Sequence, residues 1–352
     1  MDLNRIFLKD ACPTTIGGQA IMEGIMMRGP VRTAIAVRLP DGRIHMKTQP
    51  SPTFGKWSKV PLVRGVIAFI SSLVFGTQVL MYSADILEKY MPDETEPDKF
   101  DQWIEKKVGK DKAWDILLWL SVVLALIFSI GVFMLLPTAV VGVFSKITEN
   151  VIILNIIEGL VRIGIFIGYI ALIPKLEDIN KVFQYHGAEH KTIHCFENGL
   201  ELTPENAQTF YTLHPRCGTS FLMFVMIIAI IVHVFMGWPN VWMRVGLRLL
   251  ALPLIAGLSY ELLKWAGRSS NKVVEFLSLP GIYLQKLTTR EPNNEQLEVA
   301  IAAMKAVIPE ETEEAEQAKQ YFAGICDLNG EPVDGEVKYY DPKVDPKGPK
   351  ED

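Results

Sequence analysis

ILLWLSVVLALIFSIGVFMLL (116–136) and GTSFLMFVMIIAIIVHVFMGW (218–238) decide the fold class. The first carries no charged side chain, and the second carries no Asp, Glu, Lys or Arg. Each is about the 20 residues that cross a hydrocarbon core of roughly 30 Å. In lipid a chain satisfies its backbone N–H and C=O groups only as a helix or a closed barrel. The sequence is therefore read as an integral membrane protein. Its hydrophobic content of 49% is close to that of a soluble protein, so the signal lies in the distribution of apolar residues and not in their mean.

Working outward, 151–173 reads as a span despite Glu158 and Arg162, and 242–265 as another despite Arg244, Arg248 and Glu261. The charged residues inside these spans read as an interhelical ion-pair network, and His233 as a hydrogen-bonded interior residue. The expected architecture is a membrane all-α core of about four transmembrane helices, two in 114–173 and two in 218–265. Residues 65–84 are uncharged but carry Ser71, Ser72, Thr77 and Gln78, and they make a further re-entrant or spanning helix. This helix and a charged linker fill 61–113.

Residues 1–60 read as a small cap, with a Gly-rich motif and a β-hairpin built from AIAVRL (34–39), the Pro-Asp-Gly turn and RIHMKT (43–48). Residues 266–308 read as an interfacial helix followed by a C-terminal helix that starts from an Asn cap. Residues 309–352 read as an acidic, disordered tail: 310–352 holds 13 acidic and 5 basic residues, so the rest of a chain of net charge −5 is net positive.

Orientation follows from the basic residues of the short loops. Lys175, Lys181, Lys191 and Arg216 lie in 174–217, and Lys106, Lys107, Lys110 and Lys112 precede the first span, whereas 137–150 carries only Lys146. This places 174–217 and the C-terminus in the cytoplasm of a multi-pass protein of the cytoplasmic membrane. Nine basic residues in 1–60 place the cap on the same side. The expected partner is the lipid bilayer, with no nucleic acid.

The chemistry concentrates in 174–217. His186, His190, His194 and His214 stand within 29 residues of one another, and Cys195 and Cys217 share the window. His186, His190 and His194 recur every four residues, which puts them on one side of a helix, and two imidazoles at i and i+4 can grip one metal ion. Imidazole with thiolate suits zinc best among divalent metals. His186, Glu189 and His190 also match the H-x-x-E-H pattern, in which the histidines bind zinc and the glutamate is a general base. The expected ligands are His186, His190, His214 and Cys217, with Glu261 as a further candidate because an acidic residue at membrane depth is costly. Glu189 is the expected catalytic base, and His194 and Cys195 are possible members of the site. A structural metal staple, or a hydrogen-bonded loop without metal, would use the same residues.

GGQAIMEGIMMRGP (17–30), YHGAEHKTIHCFE (185–197), LHPRCGTSF (213–221) and LTTREP (287–292) together resemble the YqhQ-like bacterial membrane family, classed as a domain of unknown function. The resemblance covers residues 15–308. It implies a metal-dependent enzyme and adds Glu23, from the first motif, as a possible site residue. The residues and the resemblance lead to a zinc-dependent enzyme at the cytoplasmic membrane face, a hydrolase in type. The alternative is a non-enzymatic membrane scaffold or assembly factor. A transporter is disfavoured, because paired broken helices are missing from the pattern.

A cysteine introduced at Lys175 is expected to resist a membrane-impermeant thiol reagent in intact cells and to react after permeabilisation. Rapid labelling of intact cells would reverse the orientation.

Overall fold

The computed structural model describes Thr14, residues 16–52, Trp57, residues 60–90, Lys107, residues 109–266 and residues 272–308. The acidic tail, Cys12, Cys326 and most of the charged linker lie outside the described residues. The chain divides into two compact units, one of Met1–Ala84, Ile170–Val225 and Ala256–Asp352, the other of Asp85–Tyr169 and Met226–Ile255.

The first unit opens with an antiparallel meander of β1 (Gly17–Ile21), β2 (Gly24–Arg28), β3 (Arg32–Arg38) and β4 (Ile44–Pro50), in the order β1-β2-β3-β4. The expected hairpin is β3–β4, with Val37 opposite His45 and Gly42 at φ 85 in the turn. The sheet is larger than one hairpin because the Gly-rich motif is itself paired, Gly18 opposite Met27 and Ile21 opposite Gly24. Glycine is required at 24, where a Cβ would stand 2.2 Å from the Ala36 carbonyl oxygen of the neighbouring strand.

Helix α1 (Val63–Tyr90) follows, then α2 (Lys110–Ile130), which runs through a π-helical turn at Gly131–Leu135 into α3 (Leu136–Phe144). Next come α4 (Val151–Leu172), α5 (Glu177–Glu197), α6 (Pro204–Gln208), α7 (Gly218–Val234), α8 (Val241–Ala266), α9 (Lys272–Thr288) and α10 (Asn294–Val307). Among the described residues, four stretches are long and apolar enough to cross a membrane: Val63–Tyr90, Trp119–Phe144, Val151–Lys175 and Val241–Trp265. None of the most apolar part of Trp119–Phe144 is buried within the protein. Apolar surface on that scale needs lipid or a partner to cover it. By length the ranking departs from the sequence reading. The 65–84 segment lies in a 28-residue helix, whereas 218–238 is helical only over Gly218–Val234, 17 residues.

The largest hydrophobic cluster among the described residues lies between the sheet, α5 and α10. Ile25, Met27, Ala34 and Ala36 meet Tyr185, Ala188 and Ile193 of α5 and Leu297, Ala300, Ile301 and Met304 of α10, all buried. The region 174–217 is thus largely helical, and α10, the C-terminal helix expected from its Asn cap, belongs to this core. Asn293 caps α10 through the Gln296 amide, and Gln296 reaches back to the Asn293 N–H, a capping box that fixes where the helix starts. The other face of the sheet meets α1: the Gln19 side chain donates to the Gly76 carbonyl at 3.2 Å, and His45 lies 2.8 Å from the Tyr82 hydroxyl.

In the second unit, Glu158 of α4 is bonded by Arg162 at 3.2 Å and by Arg248 of α8 at 2.8 Å, the ion-pair network expected from the sequence. Arg248 also donates to Thr138 of α3 at 3.1 Å.

Gly187 of α5 lets the backbone of 287–292 lie directly against the helix, since a Cβ there would fall 2.0 Å from the Arg290 carbonyl oxygen. Gly187→Ala is expected to destabilise the protein by about 3 kcal/mol through overpacking. Gly168→Ala, where a Cβ meets no atom within 4 Å, is expected to be neutral or slightly stabilising. Thermal unfolding in detergent of the two variants side by side checks both.

Candidate metal centre

Helix α5 places its histidines by simple rotation. His186 and His190 are one turn apart, with ring centroids 4.5 Å from each other. The His186 Nδ1 lies 2.9 Å from the Thr288 carbonyl oxygen, at the end of α9. The His190 Nδ1 lies 2.6 Å from the Thr212 carbonyl oxygen. A carbonyl only accepts, so each Nδ1 must carry the proton, and each Nε2 is left as a lone-pair donor. The His186 Nε2 points at the Cys217 sulfur, 3.2 Å away. The His190 Nε2 is buried with no hydrogen-bond partner among the described residues. The ligand atoms of His186, His190 and Cys217 all lie within 4.8 Å of one another.

These residues fit a metal. Two ligands of a tetrahedral zinc stand about 3.5 Å apart, close to the separation of the His186 and Cys217 atoms. A ring nitrogen held by a backbone carbonyl is the usual outer support of a metal-bound histidine. The orphaned His190 Nε2 has the chemistry of a ligand atom and otherwise costs free energy. Burial also pushes the His190 pKa down, which keeps the ring neutral.

A second group, His194, Glu197 and His214, lies beside the first. His194 Nε2 donates to the Leu213 carbonyl at 2.9 Å. The Glu197 carboxylate accepts from the Thr14 N–H at 2.8 Å and the Thr14 hydroxyl at 3.0 Å, and it is paired with Arg216. His214 Nδ1 accepts from the Arg216 N–H at 3.3 Å, so its Nε2 carries the proton, 3.6 Å from Glu197. That distance allows attraction but not a hydrogen bond. Burial opposes the Glu197 charge, yet Arg216, His214 and Thr14 together hold its carboxyl well below the ordinary carboxylate range. Burial pushes His194 down to about 4 and, with the neighbouring His194 ring, His214 down to about 3. Glu197 is committed to Arg216 and Thr14, while the His214 Nε2, like that of His190, is buried with no hydrogen-bond partner among the described residues.

The other expected residues are placed as follows. Glu189 accepts from the Gly18 N–H at 2.8 Å, which ties α5 to β1. Burial raises its pKa, while His186 and the Gly18 amide pull it back. Glu261 is not with the histidines: Arg64 and the Leu62 N–H occupy its carboxylate. Glu23 pairs with Lys181 at 2.7 Å, at a turn where its φ is 47. Cys195 is buried and donates to the Glu201 carbonyl at 3.4 Å.

Sequence reasoning gave no role to Glu197, Arg216 or Gln285. Gln285, fully buried, accepts from the His214 N–H and donates to the His214 carbonyl, both at 2.8 Å, and so fixes the loop that delivers Cys217. A lone amide in the apolar run of α9, and a glutamate three residues after His194, were the available signals.

Residues 60–310 match a family model described as Protein of unknown function (DUF1385). The chain is 35% identical over 314 residues to Uncharacterized protein YqhQ of Bacillus subtilis (strain 168), covering 85% of this chain and 94% of the relative. No solved structure matches. The chain belongs to the DUF1385 family.

Replacing buried Glu197 by Gln removes the charge opposite part-exposed Arg216 and is expected to cost about 1–3 kcal/mol. The depressed His194 and His214 pKa values set a separate pH dependence. The stability they contribute is complete above their ordinary value of 6.5 and is lost as pH falls from there through about 4 for His194 and about 3 for His214. The unfolding midpoint should therefore fall between about pH 7.5 and about pH 5, less steeply in His194→Gln.

Proposed function

We propose that this DUF1385 member is a metal-dependent enzyme of the cytoplasmic membrane, hydrolytic in type, with its metal held by His186, His190 and Cys217. One observation carries the reading: two Nε2 atoms and one sulfur converge, and each imidazole is already committed at Nδ1 to a backbone carbonyl. Three protein ligands leave a coordination position open, the arrangement of catalytic zinc sites. Zinc bound there would supply Lewis acidity and a means of activating water near neutral pH. Thr288 and Thr212 would orient the two rings, and Gln285 would position the Cys217 loop. Glu189 is assigned proton transfer. Its raised pKa suits a group that takes and returns a proton, and its bond to Gly18 fixes one oxygen.

The site faces the cytoplasm in this reading, and chain connectivity supports one topology. The sheet packs on α5, and α10 packs on both, so all three share one side of the membrane. An even number of crossings must then separate the sheet from α5, and α5 from α10. Passage through α2–α3 and α4 satisfies the first requirement if α1 lies along the membrane surface beneath the sheet. Its contacts at Gly76 and Tyr82 favour that placement. Passage through α7 and α8 satisfies the second, since 17 residues reach about 25 Å. The loop charges place the shared side in the cytoplasm.

The rival reading is a scaffold in which the same donors form a structural staple. It is favoured by the way they join α5, the 212–217 loop and the end of α9. Metal analysis of wild type, His190→Ala, Cys217→Ser and Glu189→Gln, purified in parallel, tests the centre. About one divalent ion per chain is expected in wild type and Glu189→Gln, and almost none in the other two. Equal metal in wild type and His190→Ala, or none in either, would remove the metal centre and leave the scaffold reading.

A further inference from the structure

We propose that the arginine cluster of the second unit is a binding site for one phosphate-bearing anion. Three guanidinium groups, Arg162, Arg244 and Arg248, surround a single carboxylate, Glu158, which is 1% exposed. Arg248 takes both carboxylate oxygens, and Arg162 shares one of them. The charge of Glu158 is thereby used. Arg244 is 5% exposed, its Nη1 stands 4.0 Å from Glu158, and its Nε and Nη1 have no hydrogen-bond partner. His233, 6% exposed, also has an unpartnered Nε2.

Arginine does not shed its proton to escape burial. The cluster therefore holds a net charge of about two positives with unmet donors, an arrangement that native interiors avoid unless something fills it. Guanidinium groups bind phosphate by charge-assisted hydrogen bonds, and phosphate supplies both the missing charge and the missing acceptors.

The cluster is built, not incidental. Pro137 has no N–H, so the Phe133 carbonyl loses its partner one turn on, and the π-helical turn at Gly131–Leu135 lies over that gap. Arg162 Nε donates to this carbonyl at 3.0 Å, which anchors its guanidinium beside Glu158. Trp238 stacks on the Arg244 guanidinium at 3.8 Å. Arg244 is the fourth residue of α8, about 5 Å from the helix start. An anion therefore reaches it from the membrane boundary and not from mid-bilayer. An anionic lipid headgroup and free phosphate share this chemistry, and the test separates them.

The full chain is purified in detergent, delipidated, and assayed by thermal unfolding and native mass spectrometry. One arm adds inorganic phosphate against chloride at equal ionic strength. The other adds phosphatidylglycerol against a neutral glycolipid lacking phosphate. Saturable binding of one equivalent in either arm, weakened about tenfold or more by Arg244→Gln, is expected, and the arm that responds names the source. His233→Gln serves as the second variant should Arg244→Gln not fold. No binding in either arm, or binding unaffected by both variants, overturns the proposal.

Discussion

Two backbone carbonyls, those of Thr288 and Thr212, hold the imidazoles of His186 and His190 by Nδ1. Most of the first unit can be understood as the means of bringing those carbonyls to α5. Thr288 arrives because the 287–292 segment lies flat on the helix, which a glycine at 187 permits. Thr212 arrives on a loop gripped by Gln285 and by Lys191, whose ammonium reaches the Gln208 and Phe210 carbonyls at 3.0 and 2.7 Å. The sheet and α10 close the back of α5, so the helix has no freedom to rotate. Ring orientation is therefore decided by main-chain positions, which do not change rotamer.

The same contrast separates the two groups of polar residues on and beside α5. In one, the carboxylate is matched: Glu197 has Arg216 and Thr14. In the other, the Cys217 sulfur meets the His186 Nε2 and Thr219, and the His190 Nε2 beside it has no hydrogen-bond partner among the described residues. Matched buried charges add rigidity, whereas a buried ring nitrogen left without a partner costs free energy.

The spans were legible because lipid leaves so little choice: an uncharged run of about 20 residues has one stable form. Their ends were not. Gly237, Trp238 and Pro239 follow the point where α7 stops, at Val234, and an apolar count runs past that stop. The β3–β4 hairpin was legible from its Pro-Asp-Gly turn. The β1–β2 hairpin was hidden because its glycines serve close strand contact and leave no alternation to read. Among the histidines, spacing of four residues brought His186 and His190 together. At eight residues a helix has drifted about 80° from its starting face, and His194 accordingly joins Glu197 and His214. Glu261 was misread because Arg64, its partner, stands 197 residues away in sequence.

The sheet and its closing helix lie at opposite ends of the chain. Arg38 of β3 touches Glu295 of α10 across 257 residues, and all of the second unit is made in between. During synthesis the strands leave the ribosome early and wait with an open apolar face. That face closes only after the intervening apolar helices have been made and inserted. Contacts of such long sequence separation form late and leave intermediates exposed to aggregation. The His186, His190 and Cys217 cluster, which needs Thr288, can therefore mature only in a chain whose apolar helices have already been made. A nascent chain stalled in insertion would carry the histidines but not the fold that aims them.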